Sequence, residues 1–97
     1  MKCFVYVLRS VPTGRHYIGI TADPERRLTE HNAKSKRWTS AFKPWELVVA
    51  EEYEDRRSAC AREAFLKSRR GIGERRELFS RIEQYRGAGR AQLVERP

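Results

Sequence analysis

The chain has 97 residues, a formal net charge of +8, 35% charged residues and 39% hydrophobic residues. This length favours one domain with one modest hydrophobic core and leaves no room for a second domain. Four Phe, four Tyr and two Trp can form that core, which argues against a disordered chain. The positive charge predicts either a polyanionic partner, most often nucleic acid, or a surface that is charged only for solubility.

The first two predicted strands form an antiparallel hairpin. Residues 3–8 are rich in β-branched and aromatic side chains, residues 11–14 contain the turn formers Pro and Gly, and residues 16–20 resume the strand pattern. Side chains alternate between the two faces of a strand. The aliphatic face, predicted to be core, carries Val5, Val7, Ile18 and Ile20. The other face carries Tyr6, Tyr17 and Gly19, and is predicted to hold two phenols and an open spot.

A helix is predicted from Pro24 to about Asn32, because Asp23 is a favoured N-cap and proline is favoured at the first helical position. A basic loop over residues 33–44 and a third strand over residues 45–53 follow. Asp55 is expected to cap a longer helix over residues 56–70.

Gly71 and Gly73 are predicted to end that helix, and a last helix is predicted over residues 74–86. The fold class is therefore α+β, a three-stranded antiparallel sheet flanked by helices in the order β-β-α-β-α-α. A single domain is expected over residues 1–86, with a frayed C-terminal tail over residues 87–97.

The two cysteines, Cys3 and Cys60, lie at no spacing typical of a zinc site or a CxxC motif. Both are interpreted as reduced thiols of a cytosolic protein. The N-terminal apolar run, residues 3–8, is too short for a signal peptide or a membrane span. We therefore expect a cytoplasmic protein without a membrane partner.

Two pairs of polar residues lie where a helix should meet the sheet. Arg27 and His31 are four residues apart and share one helix face. They are interpreted either as site residues or as a surface charge and a histidine favoured by the helix dipole. Glu63 falls on one stripe with buried-type residues, so it is either a functional carboxylate or one half of a surface pair with Lys67.

The order of these pieces resembles a known family. Residues 17–32 read YIGITADPERRLTEHN, which is similar to the central signature of GIY-YIG nucleases, especially the small stand-alone YhbQ-like and Slx1-type members. Thr39, the segment PWELV at 44–48 and the segment AREAFLK at 61–67 also resemble that subgroup. The resemblance covers roughly residues 3–72.

This resemblance implies a three-stranded antiparallel sheet flanked by helices, and a catalytic site built from Tyr6, Tyr17, Arg27, His31 and Glu63. It implies that Glu63 holds one divalent metal ion, usually Mg²⁺, with Mn²⁺ as an alternative. It also implies that Arg27 contacts the scissile phosphate and that Tyr6 or His31 helps to activate water.

These implied roles are physically consistent with hydrolysis of a phosphodiester. A metal ion and the planar guanidinium of Arg27 both suit phosphate oxygens. A phenol titrates near about 10, so Tyr6 would need a strongly lowered pKa to act as a base. His31, with an intrinsic pKa near about 6.5, is the rival base, and Tyr6 is favoured on the resemblance alone. Tyr17 would position water or phosphate, and Gly19 would let substrate or backbone come close.

The sequence departs from the family pattern at two places. The first motif, Phe4-Val5-Tyr6, lacks its glycine, as is common in the small subgroup. Many active members use an asparagine after the glutamate helix, whereas the one asparagine of this chain is Asn32. The second departure bears on activity and not on fold.

Contacts to DNA are expected from basic residues of the loop and of the end of the long helix: Lys34, Lys36, Arg37, Lys43, Arg69 and Arg70. Trp38 is interpreted either as a platform for an unpaired base or as a hydrophobic lid over the core. Three hypotheses follow: a metal-dependent DNA endonuclease with or without selectivity for branched or single-stranded DNA, a binding module without activity, and a subunit that a protein partner directs.

Overall fold

The computed structural model describes residues 2–33, 42–87 and 93–95, the last three and residues 85–87 by their backbone alone. The elements are β1 (Cys3–Ser10), β2 (His16–Thr21), α1 (Pro24–Ala33), β3 (Trp45–Tyr53), α2 (Arg56–Lys67), α3 (Ile72–Gly87) and β4 (Leu93–Glu95). The predicted α+β class and the order β-β-α-β-α-α are confirmed. Within these residues no helix has the length and apolar character needed to cross a membrane.

The strands form one sheet in the order β2-β1-β3-β4. The three strands predicted from the sequence are antiparallel to their neighbours. The fourth, β4, pairs in parallel with β3 and was not predicted, because residues 87–97 were interpreted as a frayed tail. The sheet therefore has the predicted antiparallel centre with one short parallel strand added at its edge.

The predicted N-cap of α2 is confirmed, whereas the predicted end of α2 and the predicted start of α3 differ from the structure by two or three residues. The carboxylate of Asp55 accepts a hydrogen bond from the backbone N–H of Ser58 at 2.8 Å, as expected of an N-cap. Helix α2 ends at Lys67, three residues before the predicted end, because the N–H and hydroxyl of Ser68 both donate to the carbonyl of Phe65. Helix α3 begins at Ile72, two residues early, so Gly73 lies inside it.

Both faces of the sheet are covered. Helices α2 and α3 cover the aliphatic face of the hairpin, where Val5 opposes Ile20 and Val7 opposes Ile18 as strand alternation predicts. Helix α1 covers the second face. That face holds its own buried cluster of Tyr6, Leu8, Trp45 and Leu47, against which Tyr17, Leu28 and Phe42 pack. The prediction of a single core face was therefore incomplete.

A β-bulge in β3 changes which of its side chains face which helix. Val7 pairs with Val49 and Leu8 pairs with Leu47, so Val48 is an extra residue in β3. Before the bulge, Leu47 points to the α1 side, and after it Val49 points to the α2 and α3 side. The same shift turns Glu51 toward α2.

Candidate active site

Three aromatic side chains from three elements meet under α1. Tyr6 comes from β1, Tyr17 from β2 and His31 from α1. The ring centroids of Tyr17 and His31 are 4.9 Å apart, those of Tyr6 and Tyr17 are 6.2 Å apart, and those of Tyr6 and His31 are 6.4 Å apart. Tyr6 and His31 are both buried, which fixes their rings. Strand alternation and helix spacing thus bring together the residues that the sequence analysis grouped.

Gly19 is the residue on β2 that faces Tyr6. It lies directly opposite Tyr6 in the hairpin, and a Cβ added to it would be 2.6 Å from the Tyr6 hydroxyl oxygen. The open spot predicted at Gly19 is therefore filled by the Tyr6 phenol. The glycine is needed for the close approach of that ring and not for an unusual backbone angle.

The environment of Tyr6 favours its neutral form. Burial raises the pKa of the Tyr6 phenol well above its usual value of 10.0, and the neighbouring Tyr17 adds to this effect. The positive charge of Arg27 lowers the pKa in part, whereas the negative charge of Glu63 raises it. Tyr6 is therefore a hydrogen-bond donor near neutral pH in this environment.

Arg27 borders a cleft at the start of α1. Its side chain is 39% exposed, and its Nη1 is 3.7 Å from Oε1 of Glu30, one turn along the helix. The cleft beside it is also lined by Thr21, Ala22, Asp23 and Arg26. A loose pair of this kind on the surface contributes little stability, so the guanidinium is free to exchange Glu30 for another anion.

Glu63 is a partly exposed carboxylate on α2. Its side chain is 24% exposed, and its Oε2 is 3.1 Å from Nζ of Lys67. The predicted surface pair with Lys67 is therefore present, and the functional role of the Glu63 carboxylate stays a prediction. Among residues 2–33, 42–87 and 93–95, no three His, Cys, Asp or Glu side chains are grouped to cage a metal ion. Mg²⁺ needs no such cage, since one carboxylate, water and substrate phosphate suffice, and Glu63 fits that requirement.

Asn32 has a structural position that spacing alone did not reveal. Its amide oxygen accepts a hydrogen bond from the backbone N–H of Trp45 at 2.7 Å, and its amide nitrogen donates to the carbonyl of Trp45 at 3.1 Å. This two-point clamp joins the last turn of α1 to the first residue of β3. Since His31 precedes Asn32, the clamp also holds His31 in place.

The expected DNA contacts are placed only in part. Lys34, Lys36, Arg37 and Trp38 lie outside the described residues. Lys43 is half-buried just before β3, and Arg69 and Arg70 are exposed in the turn between α2 and α3. The described members of this set therefore lie at two separate places on the surface.

Sequence reasoning missed one group of residues altogether. Glu51 is buried at 4% exposure and binds Arg62, the residue before Glu63 on α2. The sequence Glu51-Glu52 indicates the solvated end of a strand, and no local pattern announces the β-bulge that turns Glu51 inward. A buried carboxylate that binds an arginine could only be found from the fold.

Comparisons with known proteins show the family to which the chain belongs. A family model described as the GIY-YIG catalytic domain matches residues 2–77. A UPF0213 protein of Streptococcus pneumoniae serotype 4 is 37% identical over 70 residues, which are 71% of this chain and 70% of that protein. The UPF0213 protein YazA of Bacillus subtilis strain 168 is 30% identical over 95 residues, 97% of this chain and 91% of that protein.

A longer protein is also similar. The structure-specific endonuclease subunit SLX1 of Debaryomyces hansenii is 45% identical over 51 residues, which are 45% of this chain. The similarity spans only 15% of that subunit's length. No solved structure gives a significant match.

Proposed function

The chain belongs to the GIY-YIG catalytic domain family, and we propose that it is a metal-dependent DNA endonuclease that hydrolyses phosphodiester bonds. One observation supports this best. The rings of Tyr6, Tyr17 and His31 lie together, and the charges of Arg27 and Glu63 both act on the Tyr6 phenol. We propose that these five residues form the site: Tyr6, Tyr17, Arg27, His31 and Glu63. This set contains the donors, the proton acceptor and the oxygen ligand that hydrolysis of a phosphodiester requires.

Glu63 would be the protein ligand of the metal ion, Mg²⁺ or Mn²⁺. When bound there, the metal neutralises charge that develops on the phosphate. The ordinary ion pair with Lys67 is no obstacle, because a surface pair at i,i+4 is weak. A hard cation with one carboxylate and retained water is chemically suited to this position.

Arg27 would bind the phosphate that is cleaved. Its guanidinium has a planar set of N–H donors that matches phosphate oxygens, and it is partly exposed at the edge of a cleft. Its present partner, Glu30, is 3.7 Å away, so a phosphate with shorter contacts would replace it. Arg26, exposed on the same cleft, adds a second positive charge nearby.

Two residues compete for the role of general base. Tyr6 is favoured by the family resemblance, but burial raises its pKa, so the phenol stays protonated near neutral pH. His31, whose ring centroid is 4.9 Å from that of Tyr17, is the rival, because imidazole is the side chain most often used as a base in enzymes. Cleavage rates of Tyr6→Phe and His31→Gln as a function of pH separate them. The variant that lacks the base loses the acidic limb of the profile, and the other variant keeps it.

The substrate is proposed to be DNA, with single-stranded or branched forms as the first to test. The net charge of +8 supports a polyanion, and Arg69, Arg70 and Lys43 can contact its backbone beside the loop residues Lys34, Lys36 and Arg37. Each phosphate that the protein neutralises changes the slope of log K against log salt concentration by about −0.9 for duplex DNA. Both cysteines are free, which suits a reducing compartment such as the cytoplasm.

A second candidate is a binding module or a subunit that needs a partner for activity. The observation that favours it is Asn32. The amide of this single asparagine is committed to the backbone of Trp45, so it does not replace the asparagine that many active members carry after the glutamate helix. The name of the similar SLX1 protein describes a subunit, which is consistent with a partner.

The test is a cleavage assay on labelled single-stranded, duplex and branched DNA with Mg²⁺, Mn²⁺ or a chelator. Cleavage should require the metal, and Glu63→Ala or Arg27→Ala should reduce it about 100-fold or more while DNA binding stays largely intact. Glu77→Ala and Arg76→Ala, which alter exposed residues of α3, are the matched controls and should cleave normally.

Each outcome of this assay has a distinct meaning. Unchanged cleavage by Glu63→Ala would rule out Glu63 as the metal ligand. Binding of DNA without cleavage under every condition would favour the second candidate. A gain of cleavage on addition of a cell extract fraction that is itself inactive would favour a subunit directed by a partner.

A further inference from the structure

A group of four polar side chains, of which Glu51 is buried, ties α2 to its neighbours, and we call it the Arg62 network: Glu51, Tyr53, Arg62 and Glu74. Nε of Arg62 donates to Oε1 of Glu51 at 3.0 Å, and Nη2 donates to Oε2 at 3.1 Å. The hydroxyl of Tyr53 donates to Oε1 of Glu51 at 3.1 Å. Nη1 of Arg62 donates to Oε2 of Glu74 at 2.9 Å. Three elements, β3, α2 and α3, are thus joined through one guanidinium.

Stability alone is a weak reason for this network. The carboxylate of Glu51 is almost fully buried on the sheet face that also carries Val5 and Val49. Removing two charges from water opposes the attraction between them, and apolar residues of similar size in such places often give equal or higher stability. The bidentate contact between Arg62 and Glu51 is directional, because its two hydrogen bonds form in only one relative orientation of the side chains. An apolar contact has no such requirement.

That direction determines where Glu63 points. Arg62 and Glu63 are adjacent on α2, so their side chains leave the helix axis about 100° apart. With Arg62 held on β3 by Glu51, Glu63 projects to one side of that contact, where its side chain is 24% exposed. A rotation of α2 about its axis would break both hydrogen bonds to Glu51 and move Glu63 at the same time.

The remaining contacts of α2 among the described residues do not tie it to the sheet by a directional bond. Nη1 of Arg75 donates to the carbonyl of Leu66 at 3.0 Å, which joins α2 to α3. Ala59 and Leu66 are fully buried on its inner face, and apolar packing has no directional preference of its own. The bonded partner of the Glu63 carboxylate in the described part of the chain is Lys67, which belongs to the same helix. That pair moves with the helix and cannot align it with the sheet.

We propose that Arg62 and Glu51 are positioning residues that aim the Glu63 carboxylate at the reaction site. This rests on the proposed function, in which Glu63 is the metal ligand. Groups that orient a metal ligand without touching the metal are known to control both metal affinity and activity. The Arg62 network would do so through the rotation of a whole helix rather than through a bond to Glu63 itself.

The test uses the double variant Glu51→Leu/Arg62→Met, which replaces the buried pair by apolar side chains. We expect it to fold with a thermal midpoint equal to or above that of the wild type. We expect its affinity for Mn²⁺, followed by electron paramagnetic resonance, to fall about tenfold. We expect kcat for DNA cleavage to fall by a similar factor, while KM for DNA changes by less than about twofold.

The matched control is Arg9→Met/Glu83→Gln. Arg9 and Glu83 form another hydrogen-bonded pair, 2.9 Å from Nε to Oε2, but it joins β1 to α3 and leaves α2 untouched. This control should bind Mn²⁺ and cleave DNA as the wild type does. Glu63→Gln sets the baseline for Mn²⁺ bound elsewhere on the protein.

A folded double variant with the Mn²⁺ affinity and kcat of the wild type would overturn the proposal. If the double variant does not fold, Arg62→Lys decides. It keeps the charge but loses the two-pronged contact, so it should lose Mn²⁺ affinity and kcat, and unchanged values would again overturn the proposal. If the wild type cleaves no DNA, the proposed function fails, and the Mn²⁺ affinities alone still test the positioning role.

Discussion

The hydroxyl of Tyr6 lies directly over Gly19 on the neighbouring strand, where a Cβ would be only 2.6 Å from its oxygen. The two residues are partners in the hairpin register, so the phenol crosses from β1 onto the backbone of β2. The position of one candidate catalytic side chain therefore depends on the absence of another side chain.

Gly19→Ala should displace the Tyr6 phenol and reduce cleavage about 100-fold, because a shift near 1 Å in a reacting group has an effect of this size. Overpacking should also cost about 1–3 kcal/mol of the free energy of unfolding. Gly73→Ala is the control, since a Cβ there meets nothing within 4 Å. Alanine is more favourable than glycine inside a helix by about 1 kcal/mol, so this variant should be at least as stable as the wild type. Equal cleavage by the wild type and Gly19→Ala would show that the Tyr6 position is unimportant.

Asn32→Ala should lower the free energy of unfolding by about 2 kcal/mol or more, because it leaves the N–H and carbonyl of Trp45 without their partner. Asn32→Asp should cost less, since a carboxylate oxygen still accepts from the Trp45 N–H. Urea denaturation of both variants measures the difference. A loss below about 0.5 kcal/mol for Asn32→Ala, typical of an ordinary surface substitution, would show that the clamp contributes little.

Alkaline pH should destabilise the protein partly through Tyr6. The folded-state pKa of Tyr6 is raised above the ordinary value of 10.0, so the unfolded chain ionises first as the pH rises. This contribution to stability is complete below pH 10 and is lost above it, up to the folded-state pKa. Denaturation of the wild type and Tyr6→Phe at about pH 9 and about pH 11 should show a smaller loss in the variant. Equal losses would mean that Tyr6 titrates normally.

Lys67→Met should raise the affinity for Mn²⁺ about twofold, because it removes a weak competitor for the Glu63 carboxylate. Lys2→Met is the control, since Lys2 forms a comparable pair with Glu52 at 3.0 Å, on β3. Titration of each protein with Mn²⁺ compares the two variants. A lower affinity in Lys67→Met would indicate that Lys67 supports the metal ligand instead of competing with it.

Local chemistry predicted the elements of this fold well. The caps at Asp23 and Asp55, the bounds of β3 and the alternation along the hairpin all follow from short-range rules, and each is present in the structure. The same rules put Tyr6 and Tyr17 on one strand face and Arg27 and His31 on one helix face, whereas the grouping of His31 with the tyrosines came from the family resemblance.

Other features depend on contacts between distant residues. The bulge at Val48 sets the inward turn of Glu51, and no pattern of nearby residues marks it. The contact between Arg62 and Glu51 joins residues eleven positions apart, on a strand and a helix. The pairing of β4 with β3 likewise spans the chain, from Val49 to Leu93. Such features arise from packing of whole elements, so sequence patterns of a few residues cannot contain them.

The Asn32 clamp sets the distance between the end of α1 and the start of β3. Because Asn32 is bonded to the backbone of Trp45, this distance does not depend on the residues between them. Lengthening a connection between two such points costs little, since each doubling of a loop costs only about 0.6 kcal/mol. Changes in length or sequence between Asn32 and Trp45 should therefore leave His31 and the strands beneath it in place.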